Sequence, residues 1–176
     1  MKLILKKIKG KISKKTYIDK LQEKGMVVGK NFNLYDSYID YSHCFLVEIG
    51  DDVTITHSTI LCHDASTKSI VGKSKVGKVK IGSRVFIGWN SIILPGVTIG
   101  DDVIIGAGTV VSKDIPKDSI VVGNPCKIIG KKSEFEKKHK KLILNKPVYN
   151  TYWSNKDLKE INDMKNALEY TFGYDE

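Results

Sequence analysis

From Ile81 onward the chain divides into sixes: IGSRVF, IGWNSI, ILPGVT, IGDDVI, IGAGTV and VSKDIP. The first residue of every hexad is aliphatic: Ile81, Ile87, Ile93, Ile99, Ile105 and Val111. Gly follows it in four of the six, and the fifth position is small or β-branched: Val85, Ser91, Val97, Val103, Thr109, Ile115. Neither a helix nor an alternating strand has a period of six. A short parallel strand followed by a tight corner does. Three such strands form a triangular coil of 18 residues, and successive coils stack at the strand spacing of about 4.8 Å. The first and fifth positions then face inward, and Gly at the second position relieves the corner. The expected fold is an all-β solenoid that buries its core only by repetition.

The same phase holds upstream in IGDDVT, ITHSTI and LCHDAS, which begin at Ile49, Ile55 and Leu61. Earlier still, Val28, Leu34 and Leu46 fit a phase of six of their own, with Asp40 in one inward slot. The 20 residues from Leu61 to Ile81 are not a multiple of six, so the chain leaves the coil in a loop over about residues 62–80. A slip between Leu46 and Ile49 marks a smaller excursion around YDSYIDYSHCFL. Functional residues concentrate on loops carried by a rigid scaffold, so these excursions are where chemistry is expected. The chain reads as a basic segment 1–24, a solenoid 25–130 and a basic C-terminal segment with a helix, 131–176. Ile4, Ile8 and Ile12 lie on one stripe of an amphipathic helix over 2–24. A C-terminal helix starts at Ser154, with Asp157 three residues on as in a capping box, and presents Leu158, Ile161, Met164 and Leu168. Both helices are expected to cap the solenoid.

The net charge of +9 is uneven. Residues 1–24 hold nine Lys against two acids, and residues 127–146 hold eight against two. Arg84 is the single arginine, which argues against nucleic acid as a partner, because bidentate recognition of bases and phosphates prefers Arg. The Lys blocks read as solvated faces or as contacts for anionic ligands; weak peripheral membrane contact through residues 2–24 is a second reading. No apolar run approaches the length of a membrane span. Lys residues interrupt MKLILKKIKGKISKK too early for a secretory signal, so a cytoplasmic location is expected. Three cysteines (Cys44, Cys62, Cys126) without a CxxC pair exclude a disulfide framework and a thiolate zinc site.

Of four histidines, His139 sits in KKHKK and is expected to be solvated, while His57 takes an outward hexad position. His63 follows Leu61 and Cys62 where the coil breaks into its loop. An imidazole there titrates near neutrality and suits proton removal from an alcohol or amine. His57 and His63 are a whole hexad apart, on different faces, so they do not converge on one ion and no metal is expected. IGAGTVVSK lacks the third Gly of a dinucleotide loop, and no G-x-S-x-G nucleophile motif occurs.

IGDDVTI, the LCHDASTK loop, and IGWNSIILPGVTIGDDVIIGAGTVVSKDIPKDSIVVGNPCKIIG together resemble the left-handed β-helix (hexapeptide-repeat) acyltransferases over about residues 28–130. Within that family the likeness is greatest to sugar O-acetyltransferases of the galactoside/maltose type and of capsule or lipopolysaccharide biosynthesis. The resemblance implies a left-handed parallel β-helix, a homotrimer, and direct transfer of acetyl from acetyl-CoA to a sugar hydroxyl, without a metal. It makes His63 the general base, meeting a later coil across the trimer interface. It places the pantetheine arm along Ile87–Lys113, with close approach at Gly88, Ala107 and Gly108, Ser112 and Lys113 toward the nucleotide end, and Lys127 at the phosphates. Trp89 stands where such enzymes often have a small residue, narrowing the pocket or diverting the donor, and Gly130 replaces a second basic residue. A backbone N–H near Gly88 or Trp89 is the candidate oxyanion donor. Asp64 cannot readily orient the neighbouring ring, which leaves the group that orients His63 unassigned. Asp36, Asp40 and His43 are candidates for acceptor contacts. N-acylation of a nucleotide-linked amino sugar and a non-catalytic scaffold stand as alternatives.

Overall fold

The computed structural model describes residues 15–176. Three parallel sheets form the walls of a prism. The first face stacks Val27–Val28, Val47–Ile49, Val79–Ile81 and Thr98–Ile99. The second stacks Asn33–Tyr35, Thr54–Thr56, Phe86–Ile87, Val103–Ile105 and Ser119–Val122; the third stacks Tyr38–Ile39, Thr59–Ile60, Ile92–Ile93 and Val110–Val111. Ile81 lies opposite Ile99, Ile87 opposite Ile105, and Ile93 opposite Val111. All first and fifth positions of the hexads from Ile81 to Ile115 are buried. The six-residue period thus builds the expected parallel β-helix.

Two details of the corners differ from the sequence reading. Gly29, Gly50, Gly82 and Gly100 sit where a Cβ would come within 2.6–2.8 Å of main-chain atoms of the next coil, so close stacking, rather than unusual φ, demands glycine there. Positive φ falls two residues later, in a column of Asn31, Asp52, Arg84, Asp102 and Asp118. Asn and Asp tolerate this conformation; Arg84 is held in it by paired bonds of 2.8 and 2.7 Å from its guanidinium to Asp102.

The second correction concerns phase. Ile87 to Ile93 and Ile105 to Val111 span six residues, but Ile55 to Ile60 and Leu34 to Ile39 span five. The corners at Asp36 and His57, with φ of 40° and 42°, are each one residue short. Ile60, not Leu61, therefore takes the inward slot, and Ile39 takes the one assigned to Asp40. The first excursion is a turn into a short 3-10 helix, Cys44–Leu46. The second contains a two-stranded antiparallel ladder, His63–Asp64 with Lys75–Val76, closed over Ala65–Thr67 and the helical turn Lys68–Val71. Val79 resumes the first face.

At the N-terminal end, helix Tyr17–Glu23 buries Leu21, and the Tyr17 hydroxyl donates to the Ile39 carbonyl. Residues 1–14 of the expected 2–24 helix lie outside the described residues. At the other end, Lys127–Gly130 turns back antiparallel on Ser119–Val122. Two helices follow, Lys132–Leu142 within the Lys-rich block and Leu158–Ala167. The second begins one turn later than expected: Asp157 is the cap, in a capping box with Glu160, while Ser154 lies in a preceding 3-10 turn. His139 is half-buried instead of solvated; its Nδ1 is 2.9 Å from the Tyr174 hydroxyl and its ring packs on Phe135.

Candidate active site

The edge where the third face turns toward the first collects the polar residues of both excursions. Asp40 follows Ile39 there, and because Ile39 lies opposite Ile60, its carboxyl reaches the chain just as that chain leaves the coil. The Cys62 amide donates to Asp40 Oδ2 and the Ser42 amide to Oδ1, each at 3.2 Å. Oδ2 also lies 2.5 Å from His63 Nδ1. Asp40 is wholly buried. Burial pushes its carboxyl up, but the bond to His63, the Cys62 amide and the charges of the two neighbouring histidines outweigh it and hold Asp40 below the usual carboxylate range. A carboxylate only accepts, so the proton between the two groups belongs to Nδ1 and the lone pair of His63 is left on Nε2.

The pair answers the question of what orients His63. It also reassigns Asp40, which is turned beneath the imidazole and cannot contact an acceptor as expected. Asp64 has a separate task, since its side chain accepts from the Ser66 amide and starts the 3-10 turn. His43 stands beside the pair: its ring is 4.9 Å from that of His63, and its Nδ1 is 3.5 Å from Asp40 Oδ2. That separation is too long for a good hydrogen bond, and His43 Nδ1 is buried without a partner. Burial pushes the Cys62 thiol up to about 12, so it is an inert core group and not a nucleophile.

His63 opens on a cleft of about 510 Å³ lined by Leu61, Asp64, Ala65, Lys75, Leu94, Pro95 and Ser112. Of the residues expected to meet the acyl donor, Ser112 is in this cleft and Lys113 is next to it in the chain. Gly88, Trp89, Ala107 and Gly108 lie at the opposite edge of the third face, where the second face ends. Trp89 stacks there on His57, with ring centroids 4.3 Å apart and planes 10° from parallel. One chain does not bring these two groups together. Lys127 is exposed in the terminal antiparallel strand, and Asp36 lies in the short corner away from His63. The Gly88 amide donates to the Ile105 carbonyl at 2.8 Å, so it is not free to serve as the oxyanion donor.

Sequence reasoning missed the convergence of Asp40 and His43 on His63. No pattern in the sequence announces it, because the short corners at Asp36 and His57 decide which residues meet at that edge.

Residues 78–113 match the family model described as the hexapeptide repeat of succinyl-transferase. The chain is 37% identical over 110 residues to the galactoside O-acetyltransferase of Escherichia coli (strain K12), covering 58% of this chain and 52% of that protein. Among solved structures, a maltose O-acetyltransferase from Clostridium difficile 630 is 44% identical, with a TM-score of 0.53 over 61% of this chain and 59% of the other. A galactoside acetyltransferase in complex with coenzyme A is 28% identical, with a TM-score of 0.55 over 66% and 70%. The chain spans about half the length of the curated relatives it matches.

Proposed function

Because the chain is a relative of the hexapeptide-repeat acetyltransferases of the galactoside and maltose type, we propose that it transfers acetyl from acetyl-CoA to a sugar hydroxyl, in the assembly of a surface polysaccharide. The observation that carries this reading is the buried Asp40 carboxylate bonded to His63 at the mouth of the cleft. His63 Nε2 takes the proton of the acceptor hydroxyl as its oxygen attacks the thioester carbonyl. Asp40 holds the ring in the required tautomer and offsets the charge of the imidazolium. As the tetrahedral intermediate collapses, the C–S bond breaks and the imidazolium returns its proton to the departing thiolate. The products are the acetyl ester and CoA. No covalent enzyme intermediate and no metal take part.

The acyl donor would run past Ser112 and Lys113, with Lys127 meeting its phosphates. Gly88, Trp89, Ala107 and Gly108 would come from a neighbouring subunit of a homotrimer built on a left-handed coil. Surface chemistry supports that assembly. On the first face the outward residues are Val27, Glu48, Lys80 and Thr98; on the second they are Asn33, Thr54, Phe86, Ile104 and Ile120, and on the third Tyr38, Thr59, Ile92 and Val110. In the later coils two apolar walls thus meet at the edge that carries Trp89, while the first face is polar there. Packing one wall on the other's counterpart is a head-to-tail contact that closes into a ring. His43, and Asp36 from the neighbouring subunit whose Trp89 edge it shares, are the candidates for acceptor hydroxyls.

The test is turnover of acetyl-CoA against a panel of oligosaccharides and nucleotide sugars, with products identified by mass. His63→Ala should lower transfer by about 10²–10⁴-fold while CoA binding persists. Unchanged turnover removes His63 from the mechanism. Products acylated on nitrogen instead of oxygen would move the activity to amino sugars. Absence of CoA binding in the parent protein would favour a scaffold.

A further inference from the structure

Acetyl transfer as described leaves one polar atom beside the base unexplained. An acceptor contact at His43 provides nothing for its Nδ1, which is buried, unpartnered and aimed at Asp40. Asp40, His43 and His63 each offer one donor atom, and these atoms lie within 4.8 Å of one another. Two imidazole nitrogens and a carboxylate oxygen are a donor set for Zn²⁺ and its neighbours, not for Mg²⁺ or Ca²⁺. Ligands about 2.0–2.2 Å from a tetrahedral zinc are themselves about 3.3–3.5 Å apart. The 3.5 Å between His43 Nδ1 and Asp40 Oδ2 already has that length. His63 Nδ1, at 2.5 Å from the same oxygen, must withdraw by about 1 Å. Both imidazoles are about one-third exposed, with relative side-chain exposures of 30% and 36%, so the rings have room to move and an ion has a way in. The Asp40 carboxylate, wholly buried, supplies the negative charge that an entering cation needs.

We propose that Asp40, His43 and His63 form a Zn²⁺ site whose occupation shuts off His63 as a base. The shut-off rests on the reading of His63 given under Proposed function; the site itself does not. In the resting pair the ring proton is on Nδ1, facing Asp40. When zinc binds Nδ1, that proton must reside on Nε2. The nitrogen that faces the acceptor then has no lone pair. Binding the ion and accepting the hydroxyl proton exclude each other, so the metal is an inhibitor and not a cofactor.

The experiment is a titration of metal-free protein with Zn²⁺ alone, by calorimetry and by competition with a chromophoric chelator, in the absence of acetyl-CoA or sugar. One ion should bind per chain, and Mg²⁺ should not compete. His43→Gln and Asp40→Asn should each weaken zinc at least about tenfold, while His139→Gln should leave it unchanged. Co²⁺ in place of zinc should show the visible absorption of a four- or five-coordinate ion, lost in His43→Gln. Melting curves that match the parent will show that the variants are folded. Lack of saturable binding overturns the site, as does binding that survives both ligand substitutions or disappears in His139→Gln. Zinc should also abolish acetyl transfer, with recovery on adding chelator. Zinc bound at one ion per chain with turnover intact would overturn the shut-off and leave the site standing. Failure to find any transfer would count against the acetyltransferase reading alone, because the titration does not depend on it.

Discussion

Residues 79–111 and residues 34–78 use the same three walls, yet they follow different rules. In the first stretch the register advances by 18 residues at each coil, with Ile81 on Ile99, Ile87 on Ile105 and Ile93 on Val111. In the second, corners lose a residue and the chain twice leaves the prism, at Tyr41–Leu46 and again before Val79. The regular stretch holds most of the aliphatic core; the irregular one holds Asp40, His43 and His63. Repetition stacks like on like, and a stack of identical inward aliphatics leaves no place for an ionised pair. The site exists because the repeat is interrupted.

Core truncation probes this contrast with the largest expected effect. Ile93→Ala removes a wholly buried side chain between Ile60 and Val111 and should cost about 2–5 kcal/mol in denaturant unfolding. Val71→Ala, in the exposed helical turn of the second excursion, should stay within about 0.5 kcal/mol. Equal losses would mean that the excursion is part of the core. Next, Asp40→Asn should lower acetyl transfer by about 10²-fold, equivalent to about 2.7 kcal/mol, with the proportion of folded protein unchanged. A variant with parental turnover would separate Asp40 from the chemistry.

Gly77 marks the return from the excursion. Its amide donates to the Cys62 carbonyl, and a Cβ there would stand 2.5 Å from Gly96 N and 2.8 Å from Gly96 Cα. Gly77→Ala should therefore cost about 1–3 kcal/mol, and a neutral result would show that the loop can re-enter by another path. The smallest effect belongs to acid. Arg84 and then Lys132 hold the Asp102 carboxyl down to about 2. A depressed native value stabilises the fold above the ordinary carboxylate range, and that contribution is lost as pH falls from about 4 toward 2. Because Asp102 is more than a third exposed, salt should shrink the effect. The slope of stability against pH in that window should flatten in Asp102→Asn; an unchanged slope would discount the Arg84–Asp102–Lys132 tie.

The hexads from Ile81 to Val111 were legible because each inward residue is bonded in register to its counterpart one coil away, so local spacing reports tertiary position directly. The departure of the chain after Cys62 was legible for the same reason, as a count that fails. His63 stood out because it follows that failure. Asp40 did not, since its closeness to His63 across 23 residues depends on two short corners whose length no pattern announces. Those corners also shifted the inward slot from Leu61 to Ile60. Ser154 and Asp157 both carry a side chain that can satisfy open helix amides; the extended backbone at Asp157 decides between them. His139 lost its solvent because Phe135 and Tyr174 meet beside it.

By itself the sequence determined a stack of triangular coils with an aliphatic interior, and a loop with an imidazole at its root. A period of six leaves a chain few other ways to bury its apolar residues. Which polar groups share a corner was decided only when the coils were laid on one another, because vertical neighbours are set by the accumulated length of every corner and excursion between them. That sum placed Asp40 under His63 and His43 beside both.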